Sequence, residues 1–174
     1  MITLDNDKFN DLLLQVNIKQ RLKKEFRFVT STARLSAEWS LYELFPITDR
    51  TGDSGLLLMQ PNDVLFAVYY NLSRRIVDSS TGRDRAIICD FCSTWQPGSN
   101  AASITFSASH MNRSVRLLCC ADLDCSLHVR TATKVSSVSR AQLRENMTDE
   151  ARVERLKGKL GRIIEQLGLY KLDV

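Results

Sequence analysis

Five cysteines carry the chemistry of this chain: Cys89, Cys92, Cys119, Cys120 and Cys125. Cys89-Asp90-Phe91-Cys92 is a pair with two residues between, a spacing at which a tight turn points two thiolates at one cation. Cys119, Cys120 and Cys125 supply the other half. Four thiolates at about 2.3 Å would close a tetrahedral zinc site with no open coordination position, which makes it structural and not catalytic. The odd count argues against a disulfide set. Five unrelated buried thiols are the alternative, because free cysteine is among the most buried residue types.

Geometry chooses among the downstream cysteines. Asp122 is a candidate N-cap, so Cys120 lies just before a helix and Cys125 falls on its first turn, where both face one point. Cys119 alternates to the other side of the entering strand. The expected ligands are Cys89, Cys92, Cys120 and Cys125, with Cys119 a buried free thiol. His128, three residues after Cys125, and His110, in the intervening loop, are alternative ligands in place of one cysteine.

These residues need elements to hold them. Ala86-Ile87-Ile88 leads into the first pair, and Ile104-Thr105-Phe106 and residues 115–118 precede the second, which gives three short strands. Residues 122–130 have helical character. After a polar linker of Ser and Thr, Val153, Leu156, Leu160, Ile163, Ile164 and Leu167 mark an amphipathic helix within residues 148–169. Gly158 and Gly161 weaken it by roughly 1 kcal/mol each relative to Ala, or else permit close packing. Strand, cysteine turn, hairpin and ligand-bearing helix is the layout of a treble-clef zinc finger.

Upstream, Leu4, Phe9, Leu12, Leu13 and Val16 recur at helical spacing and place one or two helices within residues 7–26. Lys19, Arg21, Lys23, Lys24 and Arg27 form a basic cluster there, read as a solvated helix face or as a binding patch. Residues 30–53 read as connecting structure. Residues 56–70, with turn residues Pro61-Asn62-Asp63, read as a β-hairpin, although the second run is alternatively the buried start of a helix. Polar residues 78–84 divide an N-terminal helical and hairpin domain, 1–83, from a zinc-finger domain, 84–174. The expected class is α+β: a helical segment and β-hairpin, then a four-cysteine treble clef and a C-terminal amphipathic helix.

The chain has 174 residues, 44% hydrophobic and 25% charged, enough apolar surface to build a core. A net charge of +4 permits RNA or an acidic protein surface and demands neither. The longest apolar run, residues 64–70, falls far short of the roughly 20 residues that span a bilayer. Residues 1–7 lack the pattern of a secretory signal, so no membrane association and a cytoplasmic location are expected. The seven glycines form neither GxGxxG nor a Walker loop. With two histidines and no legible nucleophile and base, no enzyme and no small-molecule substrate is expected.

The string CADLDCSLHVR at residues 120–130, with CDFC upstream, resembles the signature of the FBP or FusB-type elongation factor G-binding proteins. The resemblance runs from residue 87 to about residue 169. The hairpin at 56–70 also resembles the strand pair preceding the finger in shorter, actinobacterial-type members. The resemblance implies structural zinc on Cys89, Cys92, Cys120 and Cys125. It implies a cytoplasmic protein that binds elongation factor G and modulates its residence on the ribosome, with fusidic-acid resistance in some members. Many members carry a basic, glycine-rich loop before the second cysteine pair, whereas residues 109–118 are glycine-free and contribute Arg113 and Arg116 besides His110. Expected partner contacts are Arg113, Arg116 and Arg130, with Phe91 and Trp95 as exposed aromatic anchors; the alternatives are Phe91 packed beneath the metal and Trp95 in the core. A second function class is direct ribosome or rRNA binding through the N-terminal basic cluster or through Arg152, Arg155, Lys157, Lys159 and Arg162.

Overall fold

The structure is a computed structural model that describes residues 6–16, 18, 23, 24, 26, 42–108, 113–143 and 145–172. Helix α1 (Asn6–Gln15) is followed by strands β1 (Leu44–Thr48), β2 (Ser54–Met59), β3 (Phe66–Ser73), β4 (Ile87–Ile88) and β5 (Trp95–Gln96). A 3-10 turn (Gly98–Asn100) leads into β6 (Ala101–Ala108) and β7 (Arg113–Cys120). Helices α2 (Cys125–Val129), α3 (Lys134–Leu143) and α4 (Asp149–Leu167) complete the order, and the fold is α+β as expected. Lys19, Arg21, Arg27 and His110 lie outside the described residues.

Five strands form one antiparallel sheet in the order β1-β2-β3-β6-β7, while β4 and β5 make a separate two-stranded ribbon. The hairpin expected at 56–70 is β2 and β3, with Leu57 opposite Val68. The segment 78–84 connects strands of the same sheet, because β3 pairs with β6 through Tyr70 opposite Phe106 and Leu72 opposite Ile104. A division at residues 83 and 84 therefore falls between two strands that share one core.

That core has two faces. Leu57 and Met59 join Tyr70, Ile104, Phe106 and the α4 residues Leu156, Leu160 and Leu167, whereas Leu56 and Leu58 join α1 through Phe9, Leu12 and Leu13. Period-two alternation sends neighbouring β2 residues to opposite faces, and burial on both explains the unbroken apolar sequence of that strand. Gly55 is required there, because a Cβ would meet the Ile47 carbonyl oxygen at 2.2 Å.

Four local expectations are corrected. β1 lies in the segment read as connecting structure, at the sheet edge where Pro46 is tolerated. The stretch read as a polar linker contains α3, whose start is closed by reciprocal bonds: Thr133 N donates to Ser136 Oγ at 3.3 Å and Ser136 N to Thr133 Oγ1 at 3.2 Å. α2 begins only at Cys125, and Asp122 is not its N-cap; Asp122 Oδ1 instead accepts from the Asp124 amide at 3.1 Å. Gly158 and Gly161 pack closely against nothing, since a Cβ at either would meet open space.

The amphipathic helix itself is α4. Thr148 caps it by accepting from the Ala151 amide at 3.3 Å, and Gly168 ends it in the left-handed conformation. Its buried stripe packs into the same apolar cluster as the cysteines, each large apolar side chain contributing about 2 kcal/mol of burial. Among the described residues, no helix is long and apolar enough to cross a membrane.

Candidate metal centre

Two turns bring the cysteines together. Between β4 and β5 the chain reverses at Ser93, held in the left-handed region at φ 58°. The Ser93 amide donates to the Cys89 carbonyl and the Cys89 amide to the Thr94 carbonyl, each at 2.9 Å. After β7 a second reversal has Leu123 at φ 56°, with its amide donating to the Cys120 carbonyl at 3.1 Å. Both positions hold a non-glycine residue in a conformation that costs of order 1 kcal/mol or more unless the surroundings impose it.

Four sulfurs converge as a result. Cys89 Sγ lies 3.7 Å from Cys125 Sγ, Cys92 Sγ 3.5 Å from Cys120 Sγ, and Cys125 Sγ 3.8 Å from Cys120 Sγ. All four are buried, with ligand atoms within 4.8 Å of one another. Tetrahedral zinc–thiolate bonds of about 2.3 Å separate sulfurs by about 3.8 Å, so the observed spacing fits zinc without rearrangement.

Electrostatics shows why the cluster needs a cation to hold four thiolates. Burial raises the Cys92 thiol, but hydrogen bonds from Cys120, Cys125, Cys89 and His128 outweigh it and hold Cys92 well below the usual thiol range. Cys125 is pushed well up by hydrogen bonding to Cys120, Cys89 and Cys92 and by burial. Four thiolates this close in a dry interior need a soft divalent cation to neutralise them, and the donor set is that of a closed structural zinc site.

Cys119 faces the other way. It pairs with Ala102 in the β6–β7 register, next to Cys120 opposite Ala101, and strand alternation turns it away from the four sulfurs. Burial pushes its thiol strongly up, which keeps it protonated and unreactive. His128, an alternative ligand in the sequence, stands beside the site: its Nδ1 lies 3.3 Å from Cys120 Sγ and its Nε2 3.6 Å from Asp122 Oδ2.

The expected partner contacts fall in different places. Phe91 is a correction, because it is fully buried and packs edge-on against Phe106 with ring centroids 6.3 Å apart; the turn carrying it lies directly on the sheet. Trp95 is half-buried on β5, and its amide donates to Ser139 Oγ at 2.8 Å. Arg116 is exposed on β7, with Nη2 donating to Ser103 Oγ at 3.0 Å, and Arg113 opens the same strand. Arg130 is committed inside the fold: its guanidinium grips Glu43 at 2.5 and 2.8 Å and donates to the Ser126 carbonyl at 2.9 Å. Ser126 Oγ in turn accepts from the Glu43 and Leu44 amides, tying β1 to α2.

Most of the C-terminal basic residues are also used internally. Arg152 is fully buried and paired with Glu145 at 3.1 Å, Arg155 pairs with Glu145 at 2.7 Å, and Lys157 pairs with Glu154 at 2.9 Å. Lys159 donates to Ser93 Oγ at 2.5 Å, placing α4 against the first cysteine turn. Sequence reading missed Asp90 and Glu43 as positioning residues. Asp90 was legible only as the residue inside the first pair, and Glu43 carried no local signal.

Comparison with known proteins closes the description of the site. No curated protein and no solved structure matches the chain significantly. Residues 16–167 match the family described as FBP C-terminal treble-clef zinc-finger, and the chain belongs to that family.

Proposed function

We propose that this protein is a cytoplasmic zinc-stabilised binding protein whose finger associates with translation elongation factor G and modulates its interaction with the ribosome. Cys89, Cys92, Cys120 and Cys125 hold the zinc. The observation that carries the reading is the closed set of four buried sulfurs in a chain of this family, because a site without an open position leaves the protein surface, and not the metal, to act.

The surface acts by differential binding. Favouring a conformation of the factor that departs from the ribosome shifts its population without covalent chemistry, and the same preference opposes a drug such as fusidic acid that holds the factor in place. Trp95 on β5 and Arg113 and Arg116 on β7 are the proposed contacts, an aromatic anchor and two cations. Phe91 and Arg130 are not among them, since one is core and the other is bound to Glu43.

Calorimetric titration of zinc-loaded protein with elongation factor G from the same organism, at two salt concentrations, tests this. Saturable one-to-one binding that persists at the higher salt and weakens in Arg116→Ala is the expected result. No association at micromolar concentrations overturns it. Ribosome co-sedimentation that falls steeply with salt would then favour the RNA reading, in which released counterions drive binding.

A further inference from the structure

A chain of polar side chains leaves one cysteine turn and arrives at the other. Thr94 Oγ1 lies 2.8 Å from Cys92 Sγ and accepts from Gln96 Nε2 at 2.7 Å. Gln96 Oε1 accepts from Asn100 Nδ2 at 2.8 Å, and the same Asn100 nitrogen donates to Asp122 Oδ2 at 2.8 Å. Asp122 Oδ2 faces His128 Nε2 at 3.6 Å, and His128 Nδ1 lies 3.3 Å from Cys120 Sγ. The contact between Cys92 and Cys120 closes the ring. Thr94, Gln96 and His128 are buried, Asn100 is half-buried, and Asp122 stands at the solvent edge.

The direction of every bond follows from Asp122. A carboxylate only accepts, so Asn100 must present its amide nitrogen to it. That nitrogen also reaches Gln96, which must therefore present its oxygen to Asn100 and its nitrogen to Thr94. The Thr94 oxygen is then an acceptor toward Gln96, and its single hydroxyl proton is left for Cys92. On the other arm a thiolate likewise only accepts, so His128 Nδ1 is the donor toward Cys120. Two sulfurs from different turns each receive one directed donor.

We infer that Thr94, Gln96, Asn100, Asp122 and His128 form an outer shell, hydrogen-bonded from Thr94 through Asn100 to Asp122 and completed by the Asp122–His128 contact at 3.6 Å, that orients donors onto Cys92 and Cys120 and holds the two halves of the metal centre in register. This rests on the zinc reading given above. Outer partners of metal ligands fix ligand orientation, and their loss weakens metal binding by about 10–100-fold in well-studied sites. The distinctive residue here is Asn100, which touches no sulfur and lies in the turn between β5 and β6. Its backbone role, with its carbonyl accepting from the Ala121 amide at 2.9 Å, survives loss of the side chain.

Zinc affinity measured by chelator competition on the full chain tests the inference, together with the sulfur-to-metal charge-transfer band after cobalt substitution. Asn100→Ala and Thr94→Val are each expected to bind zinc about 10–100-fold more weakly at unchanged one-to-one stoichiometry. Their cobalt bands move to longer wavelength, because a thiolate without its donor gives up charge to the metal more easily. Thr94→Ser, which keeps the hydroxyl, matches the parent. The double variant Thr94→Val/Asn100→Ala loses less than the product of the two single losses, because Asn100 acts in part through Thr94. Parent-like zinc affinity in Asn100→Ala, or losses that multiply in the double variant, overturns the shell and leaves the zinc reading standing. A parent protein that takes up no stoichiometric zinc overturns both.

Discussion

The Asp90 amide donates to the Leu118 carbonyl at 2.8 Å, and the Leu118 amide donates to Asp90 Oδ2 at 2.6 Å. This two-point clasp, one arm backbone and one arm side chain, holds the first cysteine turn against the edge strand two residues before Cys120 and so helps to align the two halves of the metal centre. Asp90→Ala removes the side-chain arm and should destabilise the protein by about 2 kcal/mol, the usual worth of a hydrogen bond to a charged group. Asp90→Asn, which retains an acceptor, should lose less. Denaturant midpoints check both, and an unchanged midpoint in Asp90→Ala would contradict the clasp.

How much of this was legible in advance depended on how local each signal was. The CDFC pair, the alternation that separates Cys119 from Cys120, and the 3.6-residue stripe of α4 are properties of short windows, and each was readable. β1 was not, because Pro46 and a five-residue length make it resemble a loop until its partner β2 is known. α3 was hidden by Ser and Val, residues that favour helices weakly and need the Thr133 cap to start one. Phe91 was misread for a different reason: the sequence shows a cysteine turn but not the Phe106 ring on which it rests. The Glu43–Arg130 pair joins residues far apart in the chain and left no local trace.

Gly158 and Gly161 are the clearest unoptimised positions. Neither has a neighbour that an added Cβ would touch, and neither has a positive φ. Gly158→Ala and Gly161→Ala should each stabilise the chain by about 1 kcal/mol through helix propensity alone. Thermal melts of the single and double variants check this, with the two gains adding. A loss of stability in either would mean that the helix surface there is covered.

Acid sensitivity should include a contribution from the loop at 78–84. Hydrogen bonds from the Ser80 hydroxyl, and from the Thr81 and Ser80 amides, push the Asp78 carboxyl down to about 2. A carboxyl whose folded value lies below its ordinary one stabilises the fold fully above the ordinary value near 3.8, and that support is lost as pH falls through about 2. An NMR titration of the Asp78 carboxyl should show the low midpoint, and Asp78→Asn should flatten the acid limb of the stability curve. A midpoint near 3.8 would contradict the loop geometry.

Thiol chemistry distinguishes Cys119 from its neighbours. Burial keeps it protonated, so alkylating reagents at mildly alkaline pH should leave it unmodified in the native protein and label it on unfolding. Mass spectrometry of native and denatured samples reads this directly. Rapid native labelling at Cys119 would place it at the surface, against the β6–β7 register.

The most direct measurement is metal content by native mass spectrometry of the parent, Cys119→Ser and Cys120→Ser. The account predicts one zinc per chain in the parent and in Cys119→Ser, and its loss in Cys120→Ser with unfolding of the finger, because binding free energy at such a site is folding free energy. Zinc retained at full occupancy in Cys120→Ser, or lost in Cys119→Ser, would contradict the four-cysteine centre.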